Sequence, residues 1–263
     1  CGDGTGCYCR GEDYLDYRKN LPALAAEAAG YAKSGFTIVK AKIGLLPVEQ
    51  DRARLAAIRE AVGPDVKIMV DTNHAYNSGT AFRLCGELEK MGNILWLEEP
   101  VPPEDLDGYA MLRKGTFIPI AGGECEFTRF GFRELFVRGC VDIAQPDIGA
   151  CGGITEIRNI QALASSFGVP VIPHVWGSAV ALAAALQVLA TLPPCPHTAH
   201  PVPLQNEPVI EYDRNLNPLR DELSAVPFRF VDGRVMVPSG PGLGITLNED
   251  VLKKFTTSRN SAE

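Results

Sequence analysis

The chain has 263 residues, a net charge of −7, 46% hydrophobic and 22% charged residues. That length buries a full-sized core, and the composition is globular and not disordered. No run of Lys and Arg forms a stripe for nucleic acid or a membrane surface, and the apolar stretch 182–192 falls short of a membrane span.

Strand and helix signals alternate along most of the chain. An opening strand is expected near Thr5 to Cys9. The spacing of Leu21, Leu24, Ala25, Ala28 and Tyr31 predicts a helix over 20–34. A strand follows at 36–42, then a helix over 47–62 with Glu49 and Arg52 on its wet face. Next come strand 66–71, helix 79–91, strand 94–98 and a short helix at 104–113. Strand 117–121 precedes helix 128–138, and strand 141–145 precedes helix 153–167, which opens at Gly152-Gly153. Strand 169–173, helix 177–191 and strand 207–212 complete eight strands. Repeated strand–helix units imply a parallel sheet, and a closed barrel is one way to build it. Residues 217–225 read as irregular with a helical turn. The alternating residues of 228–231 and 234–237, on either side of Asp232-Gly233, predict a hairpin of non-barrel character that packs on something outside the barrel.

Three predicted strands end in a carboxylate. Asp71 closes 66–70, Glu98 closes 94–97, and Glu124 follows 117–123, at intervals of 27 and 26 residues. A βαβ unit takes roughly 30 residues, so the three recur in phase with the architecture. Any one of them alone is most simply a surface acid. Three at one barrel mouth make a hard oxygen site for a divalent cation such as Mg²⁺. Such a cation also supplies the positive centre that an acidic chain needs for an anionic substrate.

Lys40 and Lys42 share one face of their strand, which in a barrel points inward. On an edge strand they would face water, but their apolar and β-branched neighbours favour burial. Mutual repulsion lowers the pKa of one lysine and makes it a base, while the other holds an anionic oxygen. Asp147 and His174 end neighbouring strands, where an Asp–His hydrogen bond would orient the ring and raise its pKa. Glu211, on the eighth strand, would bond to substrate or brace another residue. Together these groups suit removal of the proton next to a carboxylate, with the cation and Lys40 stabilising the enediolate.

The eight cysteines contain no Cys-x-x-Cys pair, and Cys7-x-Cys9 is too tight for a usual zinc half-site. Free thiols in a reducing cytoplasm are expected. The first residues, Cys1-Gly2-Asp3-Gly4, resemble neither a signal peptide nor a natural start, and a segment upstream is expected to be missing.

The motifs Lys40-Ala-Lys42, Asp71-Thr-Asn73, Trp96-Leu-Glu98-Glu99-Pro100, Gly123-Glu124, Gln145-Pro146-Asp147 and Pro173-His174 closely resemble the enolase superfamily, mandelate racemase subgroup. The pairing of Lys or His bases with Mg²⁺-stabilised enediolates is established for that superfamily. The resemblance implies a TIM-like (β/α)7β barrel over 1–226. It also implies a C-terminal β-rich segment, 227–263, associated with an N-terminal capping domain that this chain lacks. It assigns one Mg²⁺ site to Asp71, Glu98 and Glu124, with Glu99 outside the ligand set. Lys42 becomes the base, with Lys40, Asp147, His174 and Glu211 catalytic and Asn73 binding substrate. Further likeness in Pro173-His174-Val175-Trp176-Gly177 and 207–214 points to sugar-acid enzymes, either dehydratases or lactone cycloisomerases. A racemase or epimerase is the alternative on the same site. A metal-free Schiff-base aldolase using Lys42, or a non-catalytic binding barrel, is disfavoured by the full set of ionisable strand ends. The expected partner is a small carboxylate, an acid sugar or its lactone, bound by a cytoplasmic homo-oligomer.

Overall fold

Strand β1 (Ile38–Lys42) pairs in parallel with β2 (Lys67–Asp71), which pairs with β3 (Ile94–Glu98), then β4 (Ile120–Gly122) and β5 (Ile143–Ala144). This is a computed structural model that describes residues 17–197 and 208–257. Helices α1 (Tyr17–Lys33), α2 (Val48–Val62), α3 (Ser78–Met91), α4 (Leu106–Gly115), α5 (Thr128–Arg138), α6 (Gly153–Ser166) and α7 (Ala179–Leu189) alternate with the strands. The short α8 (Pro218–Asp221) falls in the stretch expected to be irregular with a helical turn.

The two faces of the sheet bury different things. Val39, Ala41, Ile68, Val70, Leu97 and Ile120 point outward into the main core, where they meet Leu55 and Ile58 of α2 and Leu84 and Leu88 of α3. Helix α3 shows why the sequence folds this way. Ala81, Leu84, Cys85 and Leu88 make one buried stripe, and the Asn77 side chain caps the helix by accepting from the Thr80 N–H at 2.9 Å. The alternate strand residues form a second cluster of Met69, Trp96, Ala121 and Ile143, packed by Ile38, Ile172 and Val209. The first strand and the segments around 172 and 209 thus share one interior layer, which requires the sheet to curl back on itself as a barrel.

Among the described residues the strands are fewer than the eight expected. The opening strand near Thr5 to Cys9 lies outside the described residues. Segment 169–173 is held only by isolated parallel bridges, Ala144 to Val171 and Asp147 to His174. Prolines explain this. Pro146, Pro170 and Pro173 have no N–H to give, so the pairing keeps only the N–H donors between them, with Ala144 donating to the Pro170 carbonyl, Ile172 to Ala144 and His174 to Pro146. The described part of the last segment, 208–212, carries no ladder, and it also opens on a proline, Pro208.

The predicted hairpin is present as β6 (Phe230–Val231) and β7 (Arg234–Val235), joined by Asp232 and Gly233, both at positive φ. Phe230 stacks on Phe36, just before β1, and on Tyr212, with ring centroids 4.5 and 5.9 Å apart. Gln187 of α7 donates to the carbonyls of Pro238 and Leu243. The sequence reading missed helix α9 (Glu249–Phe255), which Asn248 caps and Val251 anchors. Among the described residues, Cys85, Cys125, Cys140 and Cys151 are free thiols, and no helix is long and apolar enough to cross a membrane.

Candidate active site

The inward face changes character above the apolar layer. In β1 the order is Ile38, Lys40, Lys42; in β2 it is Met69, then Asp71; in β3 it is Trp96, then Glu98. Register places Lys42 opposite Asp71 and Asp71 opposite Glu98. Period-two alternation therefore carries both lysines and two of the acids to one mouth.

Lys40 is the electrostatic centre of that mouth. Its Nζ lies 2.5 Å from Glu98 Oε1 and 2.9 Å from Asp71 Oδ2, and it also contacts Glu211 Oε1. Burial would lower its pKa, but Asp71, Glu211 and Glu98 overcome that and hold it well above the ordinary lysine value. Lys42 Nζ reaches Asp71 Oδ2 at 3.0 Å. Burial alone would raise Asp71, yet Lys40 and Lys42 hold it far below the usual carboxylate range. Glu98 is pushed up to about 8, because burial outweighs Lys40, with Asp71 and Glu211 adding like charge. Trp96 Nε1 and Gln145 Nε2 donate to Glu98 Oε2 at 3.0 and 2.9 Å. Both residues lie within the strand-end motifs, whose spacing carries no signal of this bracing contact.

Glu124 follows β4 at the turn made by Gly123, whose φ of 124° and close packing on Phe132 exclude a side chain. It receives Asn73 Nδ2 at 3.4 Å and lies 3.2 Å from His174 Nε2. Asn73 also donates its backbone N–H to Asp71 Oδ1. Asp147 Oδ2 holds His174 Nδ1 at 2.7 Å. Burial disfavours the imidazolium, but Asp147, Glu211 and Glu124 outweigh it and raise the His174 pKa above its ordinary value. Asp147 is lowered despite burial, through His174 and the N–H groups of Gly149 and Ala150. Glu211 Oε2 accepts from the Val175 N–H at 2.9 Å and lies 3.9 Å from His174. The structure thus gathers all nine predicted residues into one connected network, with Lys42 at the Asp71 side and His174 at the Glu124 side.

The donor chemistry fits a hard divalent cation. Asp71, Glu98 and Glu211 crowd around one ammonium, Asp71 Oδ2 is shared by Lys40 and Lys42, and the buried Glu124 Oε2 faces His174 Nε2 at 3.2 Å. The sequence missed a neighbouring group. His74, Glu99, Glu124 and Cys125 bring one ligand-type atom each to within 4.8 Å of one another. Glu99 is raised to about 9 by burial first and then by Glu124, Asp71 and Glu98. Burial first, and then Glu99, Glu124, Glu104 and Glu126, push the Cys125 thiol up to about 11.

The sequence model of the family described as Enolase C-terminal domain-like matches residues 23–251. The chain belongs to this family and to the enolase superfamily. Its TIM-barrel-like fold agrees with the closed interior layer and alternating helices. The chain is 46% identical to D-galactarolactone cycloisomerase of Agrobacterium fabrum, over 96% of this chain and 65% of that protein. It is 38% identical to arabinonate dehydratase of Saccharolobus solfataricus, over 92% of this chain and 61% of that protein. Among solved structures, 3,6-anhydro-D-galactonate cycloisomerase from Zobellia galactanivorans superposes with a TM-score of 0.81 at 44% identity, covering 89% of this chain and 63% of that one. L-Talarate dehydratase from Polaromonas sp. JS666, solved with Mg and L-glucarate, gives 0.75 at 31% identity, covering 90% and 60%. The chain therefore spans less than two thirds of the length of each relative.

Proposed function

We propose that the chain carries the catalytic barrel of a Mg²⁺-dependent enzyme that removes the proton α to the carboxylate of an acid sugar and then expels the β-oxygen, as a sugar-acid dehydratase or lactone cycloisomerase. The observation that carries this reading is the convergence of the strand-end carboxylates Asp71, Glu98 and Glu124 in one network, flanked by Lys42 on the Asp71 side and the Asp147–His174 pair on the Glu124 side. Asp71, Glu98 and Glu124 hold the cation. When bound, it supplies Lewis-acid stabilisation of the charge that builds on the substrate carboxylate. The names of the relatives, which are cycloisomerases and dehydratases acting on sugar acids or their lactones, support the substrate class.

Lys42, as the amine, takes the α-proton on its Nζ. The bond pair moves into the carboxylate, where Lys40 keeps a fixed positive charge beside the new negative one. As the pair returns, the Cβ–O bond breaks and the departing oxygen takes the proton from Nε2 of the His174 imidazolium. Asp147 fixes Nδ1–H, so Nε2 is the nitrogen that faces the reacting groups. Asn73 orients Glu124 and binds substrate beside it. Tautomerisation of the released enol gives a 2-keto-3-deoxy acid. Residues 1–226 form the catalytic unit and 227–263 the segment that associates with a capping domain. The enzyme works in the cytoplasm as a homo-oligomer.

The test is incubation of the protein with Mg²⁺ in D₂O against aldonates, aldarates and their lactones. A 2-keto-3-deoxy product is expected. Solvent deuterium at Cα with no change in composition would instead establish a racemase or epimerase, which Lys42 and His174 on two sides of the acids also permit. Lys42→Ala is expected to lower α-proton exchange by about 10²–10⁴-fold while Mg²⁺ binding persists. Exchange at the wild-type rate would remove Lys42 as the base.

A further inference from the structure

Three successive strand-end loops each place one more ligand-type side chain next to a predicted Mg²⁺ ligand. His74 lies three residues past Asp71, Glu99 follows Glu98, and Cys125 follows Glu124. His74 Nε2 lies 3.2 Å from Glu99 Oε2 and 3.5 Å from Cys125 Sγ. Ligands held tetrahedrally at about 2.0–2.3 Å from Zn²⁺ stand roughly 3.3–3.8 Å apart, so these spacings match the edges of such a site. Glu124 completes a set of four.

A second, independent observation points to a cation ligand. The Glu99 side chain is 1% exposed, and among the described residues its Oε2 accepts no hydrogen bond from outside the cluster, with His74 Nε2 of the cluster 3.2 Å away. A buried carboxylate oxygen in that state is costly. The loops are tied together at this point, since the Glu99 carbonyl accepts from the His74 N–H at 2.9 Å and from Thr72 Oγ1 at 2.7 Å. The group is therefore rigidly placed. Its donors are an imidazole nitrogen and a thiol sulfur beside two carboxylates, and the nitrogen and sulfur select a borderline-soft ion over Mg²⁺.

We propose that His74, Glu99 and Cys125, with Glu124 as a shared fourth ligand, form a second divalent-cation site suited to Zn²⁺ or Co²⁺ beside the Mg²⁺ position. The Cys125 thiol gives its proton to solvent as the sulfur–metal bond forms. Because Glu124 serves both positions, filling the softer site draws that carboxylate away from the harder one, and Zn²⁺ inhibits the Mg²⁺-dependent reaction. The site goes beyond the proposed function and shares only Glu124 with it.

The test titrates the full protein, held in saturating Mg²⁺, with Co²⁺ by absorbance and with Zn²⁺ by calorimetry. One equivalent of Co²⁺ is expected to produce a thiolate-to-cobalt charge-transfer band. Cys125→Ser is expected to abolish the band. Cys125→Ser, His74→Ala and Glu99→Gln should each weaken Zn²⁺ by about 10–100-fold or more, with folding checked by circular dichroism. Asp71→Asn should remove the Mg²⁺-dependent reaction and leave the cobalt band intact. Absence of the band in the wild-type protein, a band that survives Cys125→Ser, or a band lost in folded Asp71→Asn would each overturn the second site. An intact band together with an Asp71→Asn protein that stays active would instead overturn the Mg²⁺ assignment alone.

Discussion

His174 illustrates what a single side chain contributes through its neighbours. Asp147 bonds Nδ1 at 2.7 Å, and together with Glu211 and Glu124 it raises the pKa of the ring against the cost of burial. A raised value keeps the imidazolium present to higher pH, so elimination is expected to fall as pH rises through that value. Asp147→Asn removes the hydrogen-bonded anion and lowers the pKa, which moves the alkaline limb of the kcat profile to lower pH. A limb that stays in place in that variant would remove Asp147 from the role of positioning and charging His174. The residues of this pair were legible because each ends an apolar run one strand–helix unit from the other. The bracing of Glu98 by Trp96 and Gln145 was not, since a carboxylate's partners across the barrel leave no spacing signal. His74, Glu99 and Cys125 were missed for a related reason. Their chain positions beside the strand-end acids were visible, but left-handed turns at Asn73, His74 and Glu99 decide where the side chains point.

At the level of elements, the strands most faithful to the sequence are those whose apolar runs contain no proline. β1, β2 and β3 end within a residue of where Lys42, Asp71 and Glu98 were expected to close them. The segments around Pro146, Pro170, Pro173 and Pro208 pack as strands would but lose ladder bonds, which hydrophobic periodicity does not reveal. α9 was readable from Asn248, the acids of its first turn and the lysines of its last, yet its seven residues follow a β-like tail that masked it. The β6–β7 hairpin was predicted from Asp232-Gly233, and its packing depends on Phe230. That ring stacks on Phe36 and Tyr212, which come from opposite ends of the barrel's described sequence. Two stacked contacts at about 0.5–1.5 kcal/mol each suggest that Phe230→Ala costs roughly 1–3 kcal/mol of stability. Chemical denaturation will measure this. A cost near zero would mean that the hairpin contributes nothing to closing the ring.

For the molecule as a whole, the cluster of Lys40 with Asp71, Glu98 and Glu211 makes stability depend on ions. Mg²⁺ at a hundred times its Kd contributes about 2.7 kcal/mol. A chain of this size gains about 2–4 °C in Tm for each kcal/mol. A rise of several degrees with Mg²⁺ is therefore expected in a thermal melt, and Asp71→Asn should abolish it. An equal rise in that variant would place the ion elsewhere. The left-handed backbone at Asn73, His74 and Glu99 sets a further constraint. Each such non-glycine position costs of order 1–3 kcal/mol, and all three border the mouth. Glycine at those positions would relax the backbone and make the protein tougher, while releasing the side chains that the turns aim. A laboratory selection that rewards heat tolerance alone would thus erode this rim first, and the survivors would be robust barrels with blunted chemistry.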